Sequence, residues 1–537
     1  MASRPTPAPL PFSSFGWSLT GALLIALSLP PLGLYPLAWV ALVPLIARWS
    51  VRRPNVDYLR ETYALLLTTA CCIGFWLLFN PDPGMAALGG MSLFLVPIPL
   101  TLAFFVASVV KEKAGLGAGL AALGLNILAA EFITLSANVS VPWLLLGHTQ
   151  VEGVEFIQMA DLGGVLLLSL WVVLLNGTAF MALPRAGRPG ARYGERSASV
   201  AVFTALVALP VAYGSVRTAQ SDVPAGYTRV GIVQPGVPPS DWDAQDAATK
   251  VDYLAKLSDD MIDRWAPPAD APGESALRPN AGVNLLIWPQ SSLPYMGTES
   301  GERQLYQRLQ AWTAQRDVTL LAGAFVGTDD ADRSRGTPDA DELANSAVLV
   351  SGADPIVRYD QMRRVRFADV EAATGSQRTL LNADGVRVAT AVGFESLFGD
   401  HLRRFTAEGA NLIVVLSRND LWGRSAGLYQ HLQFTRLRAI ESRRAVVLST
   451  VSGVSALIGP TGEIDQIAGW MDQNVAPVDV ATFRGTTFYV QHGDWVGWWA
   501  LVLALVVNLG ALGAAAFFPG LIGGAPRRRS GRRLARL

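Results

Sequence analysis

At 537 residues the chain has length for three or four soluble domains of about 150 residues each, yet 51% of it is hydrophobic and only 16% charged. That balance excludes an ordinary soluble protein and puts much of the chain in a membrane. Basic and acidic side chains are equal at 43 each, so the chain as a whole has no bias toward nucleic acid or any other polyanion.

A membrane-crossing helix needs about 20 mostly apolar residues, and such stretches recur through the first two hundred positions. Seven are predicted there: Ser14 to Pro31, Tyr35 to Ala47, Thr62 to Asn80, Ala87 to Val110, Gly115 to Leu135, Gly163 to Leu183 and Ser197 to Val216. The first two are short and divided at Pro30 to Gly33, so one re-entrant hairpin is the alternative. An eighth, Val496 to Phe518, follows a long polar interval. Basic residues cluster after spans two (Arg48, Arg52, Arg53, Arg60), four (Lys111, Lys113), six (Arg185, Arg188, Arg192, Arg196) and eight (Arg527 to Arg536), whereas the loop from Ala137 to Leu162 has no Lys or Arg. Positive charge accumulates on the cytoplasmic side. Both termini are therefore expected inside a multi-pass cell (inner) membrane, with the long polar interval on the outer face. No basic n-region with an A-x-A site precedes a soluble mature chain, so the first span reads as retained.

The expected organisation is a seven-span membrane domain over 1–216, a soluble domain over 227–491, and a last span with an Arg-rich tail over 494–537. In the soluble part, strands are predicted at Arg229 to Val233, Val283 to Trp288, Val318 to Phe325, Ala344 to Ser351, Arg387 to Val392, Ala410 to Leu416 and Ala445 to Leu448. Helices are predicted at Asp246 to Trp265 and Gln430 to Arg444, and Thr328 to Asp341 reads as a polar loop. Strands alternating with helices argue for an α/β fold.

Several bland readings prevail. Gly115, Gly117, Gly119 and Gly124 lie in an apolar span with no preceding strand, which suits close helix packing and not a nucleotide loop. His148, His401, His431 and His492 lack metal-ligand spacing, and no cofactor motif is present. The two cysteines, Cys71 and Cys72, are adjacent in an apolar run, which excludes a disulfide framework. The tail arginines fix topology and touch anionic headgroups.

The specific signal is a series of strand-end motifs. One strand runs into Trp288-Pro289-Gln290-Ser291-Ser292-Leu293-Pro294; a second, with Asn345, leads to Tyr359-Asp360-Gln361; a third ends in Val392-Gly393-Phe394-Glu395; a fourth ends in Ser417-Arg418-Asn419-Asp420-Leu421-Trp422, followed by Gln430-His431 and Arg438-Ala439-Ile440-Glu441. This order resembles the nitrilase superfamily. With the spans, and with Val141-Pro142-Trp143 to Gly147 and Ala160-Asp161-Leu162-Gly163, the whole chain is similar to the apolipoprotein N-acyltransferase family. The resemblance implies a helical bundle of about eight spans carrying an external nitrilase-like domain, a four-layer αββα sandwich.

It also implies a Glu, Lys and Cys triad that moves an acyl chain from phospholipid to a lipoprotein's N-terminal cysteine through a thioester. This chain departs at each position: Gln290 stands for the Glu of W-P-E, Gln361 for the Lys of Y-x-K, and Gly393 for the Cys. Where the family has P-F-G-E, Arg366-Phe367-Ala368-Asp369 retains only a shorter acid. Glycine has no side chain to attack with, and a glutamine amide takes up no proton near neutral pH. Nor has a thiol or ammonium moved nearby: no Cys lies in Tyr227 to Gln491, and lysine occurs only as Lys111, Lys113, Lys250 and Lys256. Losing a general base costs roughly 10²–10⁴-fold, and losing the nucleophile removes the covalent route.

Ser396 and Ser291 are the substitute nucleophiles to consider; the histidine nearest in sequence, His401, has no orienting partner legible in the sequence, and both serines read as turn residues. Glu395 is either a carboxylate supporting the site from behind or an acceptor of strand-end amides. Trp288 and Trp422 would line the old site by resemblance. Arg363, Arg364, Arg366 and Arg418 suit a phosphate near a lipid-facing cleft, or a solvated basic face. The expectation is a family member that binds phospholipid or lipoprotein, or pairs with an active paralogue, without forming an acyl-enzyme. The alternative is a working acyltransferase with an unrecognised nucleophile or direct transfer.

Overall fold

A computed structural model describes residues 14–50, 55–137, 142–183, 193–220, 223–265, 282–293, 300–327, 343–365 and 372–517 of the chain. The apolar N-terminal part forms α1 (Ser14–Ser28), α2 (Val43–Ser50), α3 (Asn55–Gly74), α4 (Pro83–Leu95), α5 (Ile98–Ala114), α6 (Leu116–Ser136), α7 (Val154–Ile157), α8 (Ala160–Ala182) and α9 (Tyr193–Ala219). Five stretches are long and apolar enough to cross a membrane: Val56–Phe79, Pro83–Ala114, Leu116–Ser136, Ala160–Ala182 and Gly194–Ala219. Leu19–Ser28 and Trp495–Ala511 are shorter apolar helices.

The expected count of eight spans is therefore not reached among the described residues. The stretch expected as the second span is a 3-10 turn, Tyr35–Trp39, followed by the eight-residue α2. Pro36 and Pro44 sit where a continuous helix would need backbone donors, and eight residues rise only about 12 Å of the ~30 Å required. The fourth span is also divided, α4 ending just before Pro97 and α5 starting just after it.

The soluble part runs β1 (Gly226–Gln234), α10 (Pro239–Ala244), α11 (Ala247–Trp265), β2 (Leu285–Trp288), α12 (Ser300–Arg316), β3 (Thr319–Gly327), β4 (Leu343–Val350), β5 (Val357–Asp360), β6 (Leu381–Ala383), β7 (Val386–Val392), α13 (Gly399–Ala407), β8 (Leu412–Ser417), α14 (Ala426–Ser442), β9 (Ala445–Thr450), β10 (Ser455–Ile458), β11 (Ile464–Ala468) and β12 (Asn474–Thr482). A short α15 (Phe488–His492) leads into α16 (Trp495–Phe517), which returns to the apolar bundle. The strands make two six-stranded sheets, ordered β12-β1-β2-β3-β4-β5 and β11-β10-β9-β8-β7-β6. Each has a parallel centre, β1-β2-β3 and β7-β8-β9, flanked by antiparallel strands.

Alternation along β2 shows how the layers are cemented. Leu285 and Ile287 join the core between the sheets, with Leu321 and Val414, while Leu286 and Trp288 join the core beneath the helices, with Leu254 and Met261. This is the αββα sandwich expected from the sequence.

Soluble and membrane parts share a third core. Phe394, Phe398, Trp422, Phe434 and Ile440 belong to the same buried apolar cluster as Trp76, Trp143 and Leu166. Polar latches flank it. Gln430 on α14 accepts from Trp76 Nε1 (3.1 Å) and donates to the Ile73 carbonyl (3.0 Å), and Asp161 at the start of α8 receives Arg443 (2.7 Å), Arg217 (3.1 Å) and Tyr213 (2.7 Å). Gly164 adopts φ 64° inside α8, and a Cβ there would come 2.6 Å from the Tyr489 ring, so only glycine lets α8 meet α15.

Candidate functional site

Three of the four strand ends named from the sequence deliver their residues to loops beyond β2, β5 and β7. After Trp288 the backbone folds back on β3: Pro289 O accepts from Gly323 N (3.2 Å), and Gly323 O accepts from Ser292 N (3.0 Å) and Leu293 N (2.9 Å). This turn buries Gln290, whose Oε1 finds no hydrogen-bond partner among the described residues.

Gln361 is the opposite case. Its Nε2 donates to Val392 O (3.0 Å) and Arg363 O (3.2 Å), and its Oε1 accepts from Asn345 Nδ2 (3.1 Å). The amide thus ties β4, the loop after β5 and the end of β7 together, beside the peptide unit that precedes Gly393. Gly393 opens the 3-10 turn Gly393–Leu397 with φ 62°, a left-handed backbone that costs an L side chain about 1–2 kcal/mol.

Glu395 is buried behind that turn. Its Oε1 accepts from Tyr359 Oη (2.8 Å), Met362 N (2.7 Å) and Arg363 N (2.8 Å), and its Oε2 accepts from Val392 N (2.9 Å). Of the two roles open to it, bonding backbone amides at a strand end is the one displayed. Burial pushes its carboxyl up to about 8 against the pull of these four donors. His401, which had no orienting partner legible in the sequence, lies 2.9 Å from Tyr359 Oη. Burial, helped by Arg363, pushes its imidazole down to about 3.

Ser396 meets a different histidine. Its Oγ lies 2.9 Å from His431 Nε2 and 2.9 Å from Thr435 Oγ1, while Asn419 Nδ2 lies 3.3 Å from His431 Nδ1. Sequence reasoning missed this group because 35 residues separate serine and histidine and no local spacing links them. The ring tautomer sets the direction of this contact: with the proton on Nε2 Ser396 accepts, and with it on Nδ1 Ser396 donates. Serine, histidine and asparagine are all buried. Ser291 is a turn residue at φ 60° whose carbonyl accepts from Trp242 Nε1 (3.3 Å).

The other named residues disperse. The Trp288 indole donates to Ser258 Oγ (3.0 Å) in the core beneath α11, and does not line the strand-end cleft. Trp422 packs edge-on to Trp76 at 5.3 Å and against Phe394 at 5.1 Å, which places it beside Gly393. Arg418 is buried and spent on Asp243 (2.8 Å) and Asp420 (3.2 Å), so it is no phosphate clamp. Arg363 is apart from it, donating to Leu135 O (2.7 Å) at the end of α6. Arg364 is partly buried, and its Nε has no partner among the described residues. Asp369 and Arg366 lie outside the described residues.

Two family models match the chain in the order its architecture demands: the apolipoprotein N-acyltransferase N-terminal domain over 21–178 and carbon-nitrogen hydrolase over 229–486. Proteins named apolipoprotein N-acyltransferase align along nearly the whole length: that of Geobacter metallireducens is 26% identical, covering 93% of this chain and 95% of its own, and that of Chlorobaculum tepidum is 25% identical, covering 91% and 95%. The chain belongs to the apolipoprotein N-acyltransferase family. Among solved structures, Nit3 of Saccharomyces cerevisiae, of the nitrilase superfamily, is 12% identical with a TM-score of 0.37, covering 49% of this chain and 92% of its own. Set against the triad that family resemblance implies, the three positions here offer two amides and a glycine. They can donate and accept hydrogen bonds, but they hold neither a thiol nor a basic or ammonium group. Among the described residues no cluster of three or more His, Cys, Asp or Glu could hold a metal ion.

Proposed function

We propose that this chain is a binding member of its family, one that engages phospholipid or lipoprotein, or pairs with an active relative, and has lost Cys-dependent acyl transfer. The observation that carries this reading is Gly393 at the nucleophile position in a soluble part without a single cysteine. The amide of Gln361, engaged on both its atoms, supports it: the position has been rebuilt as a structural tie. The basic flanks of the spans support a reading with the soluble part on the outer face of the cytoplasmic membrane and both termini inside. The test is to add a diacylglyceryl-cysteine peptide and phospholipid to the full chain in lipid nanodiscs and follow peptide mass. No gain of an acyl chain, with measurable binding of either substrate, is expected; a gain that tracks the purified protein defeats the proposal.

The 2.9 Å contact of Ser396 with His431 favours a second reading, a serine nucleophile, which requires the ring proton on Nδ1. Ser396 Oγ would attack the phospholipid ester, its proton passing through His431 to the departing lysophospholipid; the peptide amine would then displace the serine, its proton returning through His431 to Ser396 Oγ. Activity abolished by Ser396→Ala would establish it.

A further inference from the structure

We propose that a cavity apart from the three strand-end positions, between α13, α15 and the neighbouring ends of α6, α8 and α16, binds the phosphate ester of a phospholipid headgroup. The cavity has a volume of about 350 Å3, and neither Gln290, Gln361 nor Gly393 lines it. Four guanidinium groups do: Arg363, Arg378, Arg403 and Arg404. The carboxylates beside them are three against four: Asp400, Glu408 and Asp494, the last also in the lining and accepting from Tyr489 Oη (2.9 Å). Asp400 is shared by Arg403 (2.6 Å) and Arg404 (2.6 Å), and Arg378 leans on Glu408 (3.0 Å). Arg363 has no carboxylate at ion-pair distance among the described residues; it lies over the Phe398 ring at 4.6 Å and is anchored through Nη2 to Leu135 O. A phosphate diester supplies the missing negative charge and accepts from such forked donors.

The floor identifies the source of that phosphate. Phe132, Leu135 and Trp498 close the cavity from the bundle side. Trp498 and Trp499 are 60% and 61% exposed at the start of α16, and Val502, Leu505, Val506 and Leu509 continue the exposed apolar surface along that helix. Exposed tryptophans at the end of an apolar helix mark headgroup depth. The arginines therefore stand where a lipid phosphate lies, and the apolar face of α16 runs where its acyl chains lie. A free phosphate would use the arginines and leave the apolar floor without a role.

The site deepens the lipid-binding part of the proposed function and rests on it. The full chain, delipidated in detergent, is examined by native mass spectrometry with dioleoyl phosphatidylglycerol, with dioleoylglycerol, which lacks the phosphate, and with glycerol 3-phosphate as competitor. Phosphatidylglycerol retention is expected, with at least a tenfold loss in Arg363→Gln/Arg404→Gln and none in Arg308→Gln, an exposed arginine on α12. Arg363 also anchors α6, so Arg378→Glu/Arg404→Glu, which spares that anchor, carries the test if the first variant does not fold. Retention unchanged in both doubles overturns the site while leaving lipid binding standing; absence of phospholipid retention in the unaltered chain overturns both. Equal retention of dioleoylglycerol overturns phosphate recognition. Displacement by equimolar glycerol 3-phosphate overturns the lipid as its source.

Discussion

Gln361 shows how a position that the family resemblance reads as catalytic can hold a neutral amide stably. In relatives with the full motifs this position holds a lysine and the Gln290 position a glutamate, by the resemblance drawn above. Losing one alone would leave a buried charge unpaired, a cost of about 3–5 kcal/mol, whereas losing both leaves two neutral amides. Restoring one charge should recreate that cost. Gln361→Lys is expected to lower stability by about 3 kcal/mol, and adding Gln290→Glu to recover part of it, read from thermal unfolding of the three variants in one detergent. Equal losses in the single and double variants would show that the two positions do not compensate each other. Glu395 supplies a pH prediction. Its carboxyl is held near 8 in the fold against an ordinary 4.5, so the fold favours the neutral form. That stabilisation is complete below about pH 4.5 and is lost as pH rises through about 8. Between about pH 5 and about pH 8.5 the unfolding temperature of the unaltered chain should therefore fall relative to that of Glu395→Gln.

The elements around the site differ in how readily their sequence announces them. β2, β3, β4, β7, β8 and β9 are runs of Leu, Val, Ile and Ala buried on both faces, and their motifs follow directly at the strand ends, so they are legible from sequence. β6, β10 and β11 are three to five residues long and carry no periodicity worth counting. α12 is masked in the sequence by its Gln and Arg content, although Leu305, Leu309 and Trp312 recur at helical spacing. The stretch from Tyr35 to Ala47 is the opposite case: its apolar composition satisfies the criterion for a span, while Pro36 and Pro44 divide it into a 3-10 turn and a short helix. No local pattern could reveal that Ser396 meets His431 or that Trp422 meets Trp76, because those contacts are made by the tertiary fold. The Trp422 contact can be tested at the same scale. Trp422→Ala removes a buried indole wedged between Trp76 and Phe394, and should cost about 3–5 kcal/mol. The check is a lower unfolding temperature for the full chain in detergent.

Across the whole molecule, the soluble part is not a sphere on a tether. Its α14 and the aromatic residues after β7 and β8 complete the bundle's own core, so cutting the chain between α9 and β1 would strip cover from Phe394, Trp422 and Phe434. A fragment of residues 223–493 alone is therefore expected to aggregate without detergent, by size-exclusion chromatography, where a self-sufficient domain would run as a monomer. Gly393 has a consequence of another kind. A thiol restored there must accept a left-handed backbone, and a lysine restored at Gln361 must give up the hydrogen bond from Asn345. Each reversal lowers stability before any chemistry returns, because one member of a triad does little alone. On the proposed reading, selection acting one substitution at a time thus meets a descent at both positions. A chain that had lost the triad would be held by a ratchet, committed to whatever its surface binds.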